Sequence, residues 1–186
     1  MNVEELTIIY GPMTAGKSTT LLTRAIEASY VYKVLFVNSL KDKRTDTSFS
    51  SHNPLFTDVL SCQKNIKTIK VKNIKDIPKE IIEWCDAIFI DEGQFFEDLC
   101  VILQIKKIIN ISGLLTDYKQ QLFGDMYKLI PYADKIIKLS NYCNECIKNN
   151  KKPEQTLFTI KIEEYDNIGI NENYKSVCRD CLYKIL

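Results

Sequence analysis

Leu6-Thr7-Ile8-Ile9-Tyr10-Gly11-Pro12-Met13-Thr14-Ala15-Gly16-Lys17-Ser18 runs from an apolar segment straight into the pattern G-x-x-x-x-G-K-[ST]. The apolar part reads as a buried strand. After Ser18, Leu21, Leu22, Ala25, Ile26 and Ala28 recur at helical spacing. Strand, glycine-bounded loop and helix in that order make an anion site. Gly11 and Gly16 permit backbone conformations that turn successive N–H groups inward, so a concave nest forms around phosphate oxygens at the helix N-terminus. Lys17 adds a point charge, and Ser18 can offer its hydroxyl to a magnesium ion bridging the outer phosphates. A plain β-to-α turn, the competing reading, leaves the Lys-Ser pair unexplained. The stretch predicts a nucleoside triphosphate held by Gly11, Pro12, Met13, Thr14, Ala15, Gly16, Lys17 and Ser18.

Working outward, Lys33-Val34-Leu35-Phe36-Val37-Asn38 reads as a second buried strand, which completes a β-α-β unit. Residues 41–54 are rich in Ser, Thr, Asp and Asn and predict a long, mobile loop at the edge where α/β proteins place their sites. A strand over residues 65–74 and a short helix over 77–84 follow. Ala87-Ile88-Phe89-Ile90 is a continuous apolar strand that ends in Asp91-Glu92. The pattern then predicts a helix over about 95–107, a strand over 108–115, a loop with a short helix around 123–133, and a last strand over 135–139. Strands alternating with helices predict a largely parallel sheet covered on both faces.

The chain has 186 residues and 45% apolar content, enough for a core in one ordinary domain with a small appendage. With 25 basic and 24 acidic residues, a formal charge of +1 argues against a broad nucleic-acid or membrane surface. Lys148, Lys151 and Lys152 read as solvated loop residues. The N-terminal residues lack a signal-type pattern and no apolar run approaches membrane-spanning length, so the expected location is the cytoplasm.

Of seven cysteines, Cys62, Cys85 and Cys100 are scattered singly and read as buried or idle thiols. Cys143-x-x-Cys146 and Cys178-x-x-Cys181 are different: two knuckles whose four thiolates suit a tetrahedral structural zinc. Disulfides compete with that reading, but a reducing compartment disfavours them. Composition changes near Asn141, and the expected division is residues 1–140 as a nucleotide-binding α/β unit and 141–186 as a zinc-binding unit. So short a segment cannot build a large core, and a zinc ion supplies on the order of 10 kcal/mol of folding free energy to such units.

An apolar strand ending in Asp-Glu downstream of a phosphate loop is the second half of a phosphoryl-transfer site. On extended backbone the two side chains point to opposite sides. Asp91 is therefore expected toward magnesium, and Glu92 toward a proton on an acceptor hydroxyl or water.

Taken together and in order, the Gly-Pro-Met loop, Lys41-Asp42-Lys43-Arg44, Asp91-Glu92-Gly93-Gln94-Phe95-Phe96, Phe123-Gly124, Tyr174-Lys175-Ser176-Val177-Cys178 and the paired cysteines resemble the type II thymidine kinases of cells and large DNA viruses. The resemblance covers nearly the whole chain. It implies a P-loop, RecA-like sheet flanked by helices, plus a small zinc-ribbon-like module carrying a substrate-binding lasso over residues 163–174. It implies transfer of the γ-phosphoryl of ATP to the 5′-hydroxyl of thymidine, with magnesium, structural zinc and a homotetrameric assembly. By the same resemblance Glu92 is the general base, Lys17 and Arg44 stabilise the transferring phosphoryl, and Asp42, Asp91 and Gln94 lie on the nucleotide side. The nucleoside pocket falls on Met13, Phe95, Leu114, Tyr118, Phe123, Ile168 and Tyr174.

The chain departs from that pattern where Leu114-Leu115-Thr116-Asp117-Tyr118 stands for the common Leu-Asp-Gly-Thr-Phe, where residues 147–157 differ from the usual Thr-Lys-Arg stretch, with which Thr159 and Lys161 align, and where Ile170 takes the place of a lasso glycine. Two other readings compete. A nucleoside monophosphate kinase with a zinc-stapled lid needs no base, because its acceptor is already ionised, and would carry its cysteines in mid-chain. A nucleic-acid-binding zinc-ribbon ATPase calls for more positive charge than this chain has.

Overall fold

The computed structural model describes residues 3–42, 64–161 and 174–185. Six strands, β1 (Glu5–Tyr10), β2 (Val34–Ser39), β3 (Ile66–Val71), β4 (Ala87–Ile90), β5 (Ile108–Gly113) and β6 (Lys135–Lys138), form one sheet in the order β3-β2-β4-β5-β1-β6. Every pairing in it is parallel. A second, two-stranded antiparallel sheet joins β7 (Phe158–Lys161) to β8 (Tyr174–Val177). The described helices are α1 (Lys17–Ser29), α2 (Lys79–Trp84), α3 (Met126–Leu129), α4 (Asn144–Lys148) and α5 (Arg179–Tyr183).

Continuous apolar strands alternate their side chains between two cores, because successive residues of a strand face opposite ways. Ile9, Val34, Phe36, Ala87 and Phe89 turn to one face, where Leu21, Leu22 and Ala25 of α1 cover them. Leu6, Ile8, Leu35, Val37, Ile88, Ile90, Ile109 and Ile111 turn to the other, under Phe96, Leu99, Ile102, Met126 and Leu129.

The second cover differs from the helix predicted over 95–107. Gly93–Phe95 and Leu99–Gln104 are 3-10 turns instead. Three residues per turn align positions i and i+3, and Leu99 and Ile102, both fully buried, are the pair that this alignment drives into the core. β3 is also shorter than predicted. It ends at Val71 because Asp76 Oδ2 accepts from the Asn73 N–H, while both carboxylate oxygens of Asp98 accept from the N–H groups of Ile74 and Lys75, turning the chain into a 3-10 segment over Ile74–Asp76. The helix predicted from residue 77 begins after Pro78, whose fixed φ suits a helix start.

Beyond the end of β6, the Leu139 N–H donates to the Tyr10 carbonyl at 2.7 Å, bringing the Leu139 backbone against Gly11. A Cβ at Gly11 would lie 2.3 Å from the Leu139 carbonyl oxygen. Gly11 is thus required for close approach; of the two loop glycines expected to take special backbone, Gly16 has positive φ and Gly11 does not, Thr14 being the other left-handed residue. Gly11→Ala is expected to cost about 1–3 kcal/mol of stability, the range for overpacking a well-packed site. Urea unfolding checks this, and an unchanged midpoint would mean that the 139 backbone yields.

Candidate active site

Gly11 to Gly16 link β1 to α1 at the carboxyl edge of the sheet, and Lys17 and Ser18 open the helix. Thr14 (φ 59°) and Gly16 (φ 82°) both adopt left-handed backbone, the alternation that makes a nest of N–H groups. Gly16 caps α1 and has no side chain with which to close the helix N-terminus, so the donors of the first turn face the loop. Lys17 is buried and its ammonium donates to the Pro12 carbonyl at 2.8 Å, strapping the loop from within.

Two strands away, β4 ends in the acidic pair, on the order of 10 Å from β1 at ordinary strand spacing. Asp91 is 1% exposed. Its Oδ1 accepts from the Ser112 hydroxyl on β5 and from the Glu92 N–H at 3.0 Å. The expectation that Asp91 and Glu92 point to opposite sides of extended backbone is corrected here: Glu92 has left the strand, with φ 53° and ψ 45°. Its carbonyl accepts from the Phe95 N–H at 3.0 Å, closing the 3-10 turn. A left-handed non-glycine residue costs about 1–2 kcal/mol, and Gln94 holds it there. The Gln94 amide nitrogen donates to Glu92 Oε2 and its oxygen accepts from the Leu114 N–H at 2.9 Å. Gly113 and Gly124 leave room for it, since a Cβ on either would come within 2.3 Å of Gln94 atoms.

Asp42, 5% exposed, follows β2, the neighbour of β4. Beside it, Lys41 pairs with Glu97 at 2.5 Å, a hydrogen bond that holds the exposed Glu97 carboxyl below its ordinary pKa. Arg44 and Ile168 lie outside the described residues, as do Cys62 and most of the polar loop and the lasso.

The predicted nucleoside residues fall into two groups. Phe95 and Phe123 meet edge to face, with ring centroids 5.7 Å apart, near Leu114, whose N–H is taken by Gln94. Phe96, by contrast, is fully buried core. Tyr118 and Tyr174 lie 5.9 Å apart, with the Lys161 ammonium 5.9 Å from the Tyr118 ring, on the side of the two-stranded sheet that holds Met13. A hairpin over residues 115–123 links the groups. Asp117 Oδ1 accepts from the N–H groups of Lys119 (2.8 Å) and Gln121 (2.9 Å), and Gln120 donates to the Thr159 carbonyl at 2.9 Å. The Asp117 turn and Ser112 were not anticipated; Thr159 and Ser176 fall in stretches that the resemblance covers, but neither was given a role. An aspartate in a polar run between apolar segments favours a turn, because its carboxylate accepts from backbone N–H groups just downstream, and that signal could have exposed the first. No local pattern marks the others.

The four knuckle cysteines are all buried, and their sulfurs lie within 4.8 Å of one another. Cys143 and Cys178 each cap a short helix, α4 and α5, and Cys146 and Cys181 sit in the first turn. Cys146 Sγ is 3.6 Å from both Cys178 and Cys181. Four sulfurs around zinc at ~2.3 Å are separated by about 3.8 Å, so the donor set and its spacing fit the ion, whereas a disulfide would single out one partner. Burial pushes the Cys143 thiol up, but hydrogen bonds from the backbone and from neighbouring thiols outweigh it and bring it down to about 7. Burial and the neighbouring thiols push Cys181 up.

A parallel sheet with a glycine-lysine-serine loop at the carboxyl end of β1 and a buried carboxylate at the end of β4 defines the P-loop α/β class. Within it, the thymidine kinase family model matches residues 4–182, and the chain belongs to that family. It is 34% identical to a thymidine kinase of Sheeppox virus over 182 residues, 95% of each chain. It is 30% identical to a cytosolic thymidine kinase of Cricetulus griseus over 97% of this chain and 74% of that protein. A Monkeypox virus thymidine kinase shares 29% identity over 97% and 98%.

The thiol cluster carries a direct expectation. Elemental analysis of the purified chain should find close to one zinc, and Cys178→Ser should lose most of it. Full retention by that variant, or a parent chain with no zinc and four freely titrating thiols, would remove the metal site.

Proposed function

We propose that the chain is an ATP-dependent thymidine kinase that gives thymidine monophosphate and ADP. The observation that carries the reading is the Glu92–Gln94–Leu114 linkage, which holds a carboxylate beside the Phe95–Phe123 ring pair at the same sheet edge as the glycine-lysine-serine loop. A nucleoside hydroxyl benefits from a base, whereas a phosphate acceptor does not.

In this reading the N–H groups of residues 14–18 and the Lys17 ammonium bind and orient the triphosphate. Ser18 and Asp91 would hold magnesium, hard oxygen donors suited to that ion, which when bound neutralises charge between the outer phosphates. Ser112 and the Glu92 N–H keep Asp91 pointed to one task. Glu92 takes the proton from the 5′-hydroxyl, and Gln94 orients it. Arg44 stabilises charge on the transferring phosphoryl, and Asp42 stands with Asp91 on the metal side. Met13, Phe95, Leu114, Tyr118, Phe123, Ile168 and Tyr174 enclose the nucleoside. Cys143, Cys146, Cys178 and Cys181 would hold a structural zinc that braces the lasso. The division at residues 140–141, a cytoplasmic location and a homotetramer belong to the same reading; sedimentation velocity tests the last.

Glu92→Gln should lower kcat by roughly 10²-fold or more with ATP binding nearly unchanged, since a general base contributes 10² to 10⁴. A kcat within a few-fold of the parent would remove Glu92 from that role.

A nucleoside panel with ATP and magnesium tests the substrate. Thymidine should lead, with deoxyuridine lower because a methyl group in an apolar pocket contributes about 1–3 kcal/mol. Deoxycytidine should be poor, its amino group reversing the donor pattern of the base edge. Purine deoxynucleosides should overfill the slot between Met13, Phe123 and Tyr174. Deoxyadenosine or deoxyguanosine matching thymidine in kcat/KM would overturn the substrate and leave the phosphoryl transfer standing.

A further inference from the structure

Three side chains from the C-terminal quarter of the chain converge on two consecutive residues of the phosphate loop. The Met13 N–H donates to Thr159 Oγ1 at 3.0 Å, and the Met13 carbonyl accepts from the Ser176 hydroxyl. Asn141 then donates its amide to the next residue, 2.9 Å from Thr14 Oγ1 and 3.4 Å from the Thr14 carbonyl. Thr159 and Ser176 are direct cross-strand partners in β7–β8, so their side chains lie on one face of the ribbon. Both are buried, at 5% and 7% exposure. Asn141 is itself fixed, exchanging backbone and side-chain hydrogen bonds with Thr156.

The loop needs such a hold. Gly16 contributes no side-chain contact to fix its own conformation, and Thr14 sits in left-handed backbone that disfavours any residue with a Cβ. Bonds to both polar groups of Met13, and to Thr14 immediately after it, set the peptide planes from which the N–H groups of residues 15–18 follow. An anion site whose donors are already aimed binds without the cost of ordering them.

We propose that Thr159, Ser176 and Asn141 are positioning residues for the triphosphate: the cysteine module clamps the phosphate loop in its binding conformation, besides lining the nucleoside pocket. The proposal rests on Gly11 to Ser18 being a triphosphate loop. Thr159 and Ser176 share their ribbon with Tyr174, which the proposed function places at the nucleoside.

The test is direct binding of a non-hydrolysable ATP analogue with magnesium, measured by calorimetry on the full chain without nucleoside. Thr159→Val keeps shape and removes the acceptor, and Ser176→Ala removes the donor; each should raise Kd about tenfold at unchanged zinc content. Thr159→Ser and Ser176→Thr keep the hydroxyls and should stay within about threefold of the parent. In turnover, KM for ATP should rise in the deleted variants while kcat at saturating ATP moves little, a split that general loosening would not produce. Asn141→Ala approaches the loop from the Thr14 side and decides the matter if the buried variants fail to fold; its Kd should rise about fivefold. Variants that keep zinc and bind the analogue as the parent does would overturn the clamp alone. A parent that binds no analogue would overturn the triphosphate reading, and the clamp with it.

Discussion

The parallel register across β4, β5 and β1 is the constraint on which the site depends. Ile90 pairs with Ile111, and Ile111 with Ile8, so the carboxyl ends of the three strands come out level. Ser112 therefore reaches Asp91, and Gly113 lies where Gln94 needs space. A slip of one residue would send Ile8, Ile90 and Ile111 to the wrong face. The two separate apolar cores forbid this, since each face of the sheet has its own matched cover. Packing that looks merely structural thus sets the spacing between phosphate loop and acidic pair.

Much of this arrangement was legible in the chain. Short continuous runs such as Ala87-Ile88-Phe89-Ile90 read as strands buried on both faces and are so, and the glycine-lysine-serine loop lies where expected, at the junction of the first strand and the first helix. The cysteine spacing likewise survives as geometry, with the four sulfurs gathered. What was not legible depends on contacts remote in sequence. The 3-10 turns over residues 99–104 carry the same apolar residues as an α-helix would, and only the core they meet selects a three-residue period. Glu92 reads as the end of a strand. Its left-handed turn exists because Gln94 and the glycines around it make that conformation affordable, and those glycines lie about 20 and 30 residues downstream. Thr159 and Ser176 are ordinary strand residues by pattern. Their importance comes from facing Met13, which no periodicity reveals.

The departures at Leu115 to Tyr118 acquire a physical reading from the hairpin. Asp117 ties its own turn through two backbone N–H groups, so the hairpin keeps a defined shape without the Asp-Gly pair common in the resembling kinases. Tyr118 keeps an aromatic ring beside Tyr174, tilted 50° to it, and brings a hydroxyl, while the Lys119 and Lys161 ammonium groups stand 5.7 and 5.9 Å from its ring centroid. The substitutions therefore alter the polarity of one wall while the backbone path is held by other means.

The energetic position of the cysteine module explains why so small a unit carries four thiols. Its core consists of the cysteines with Val177 and Leu182, plus Phe158 and Ile160 at the margin, and a lone two-stranded ribbon is marginal in water. In the proposed clamp this ribbon keeps two buried hydroxyls aligned on one residue, Met13, of a loop that has glycines at both ends. Apolar burial on that scale cannot supply the rigidity. Metal–thiolate bonds at these four sulfurs would, because the free energy of such bonds enters folding directly. Cys178 follows β8 immediately, one residue after Val177 and two after Ser176, so a bond anchoring that sulfur also anchors the strand end that holds the phosphate loop.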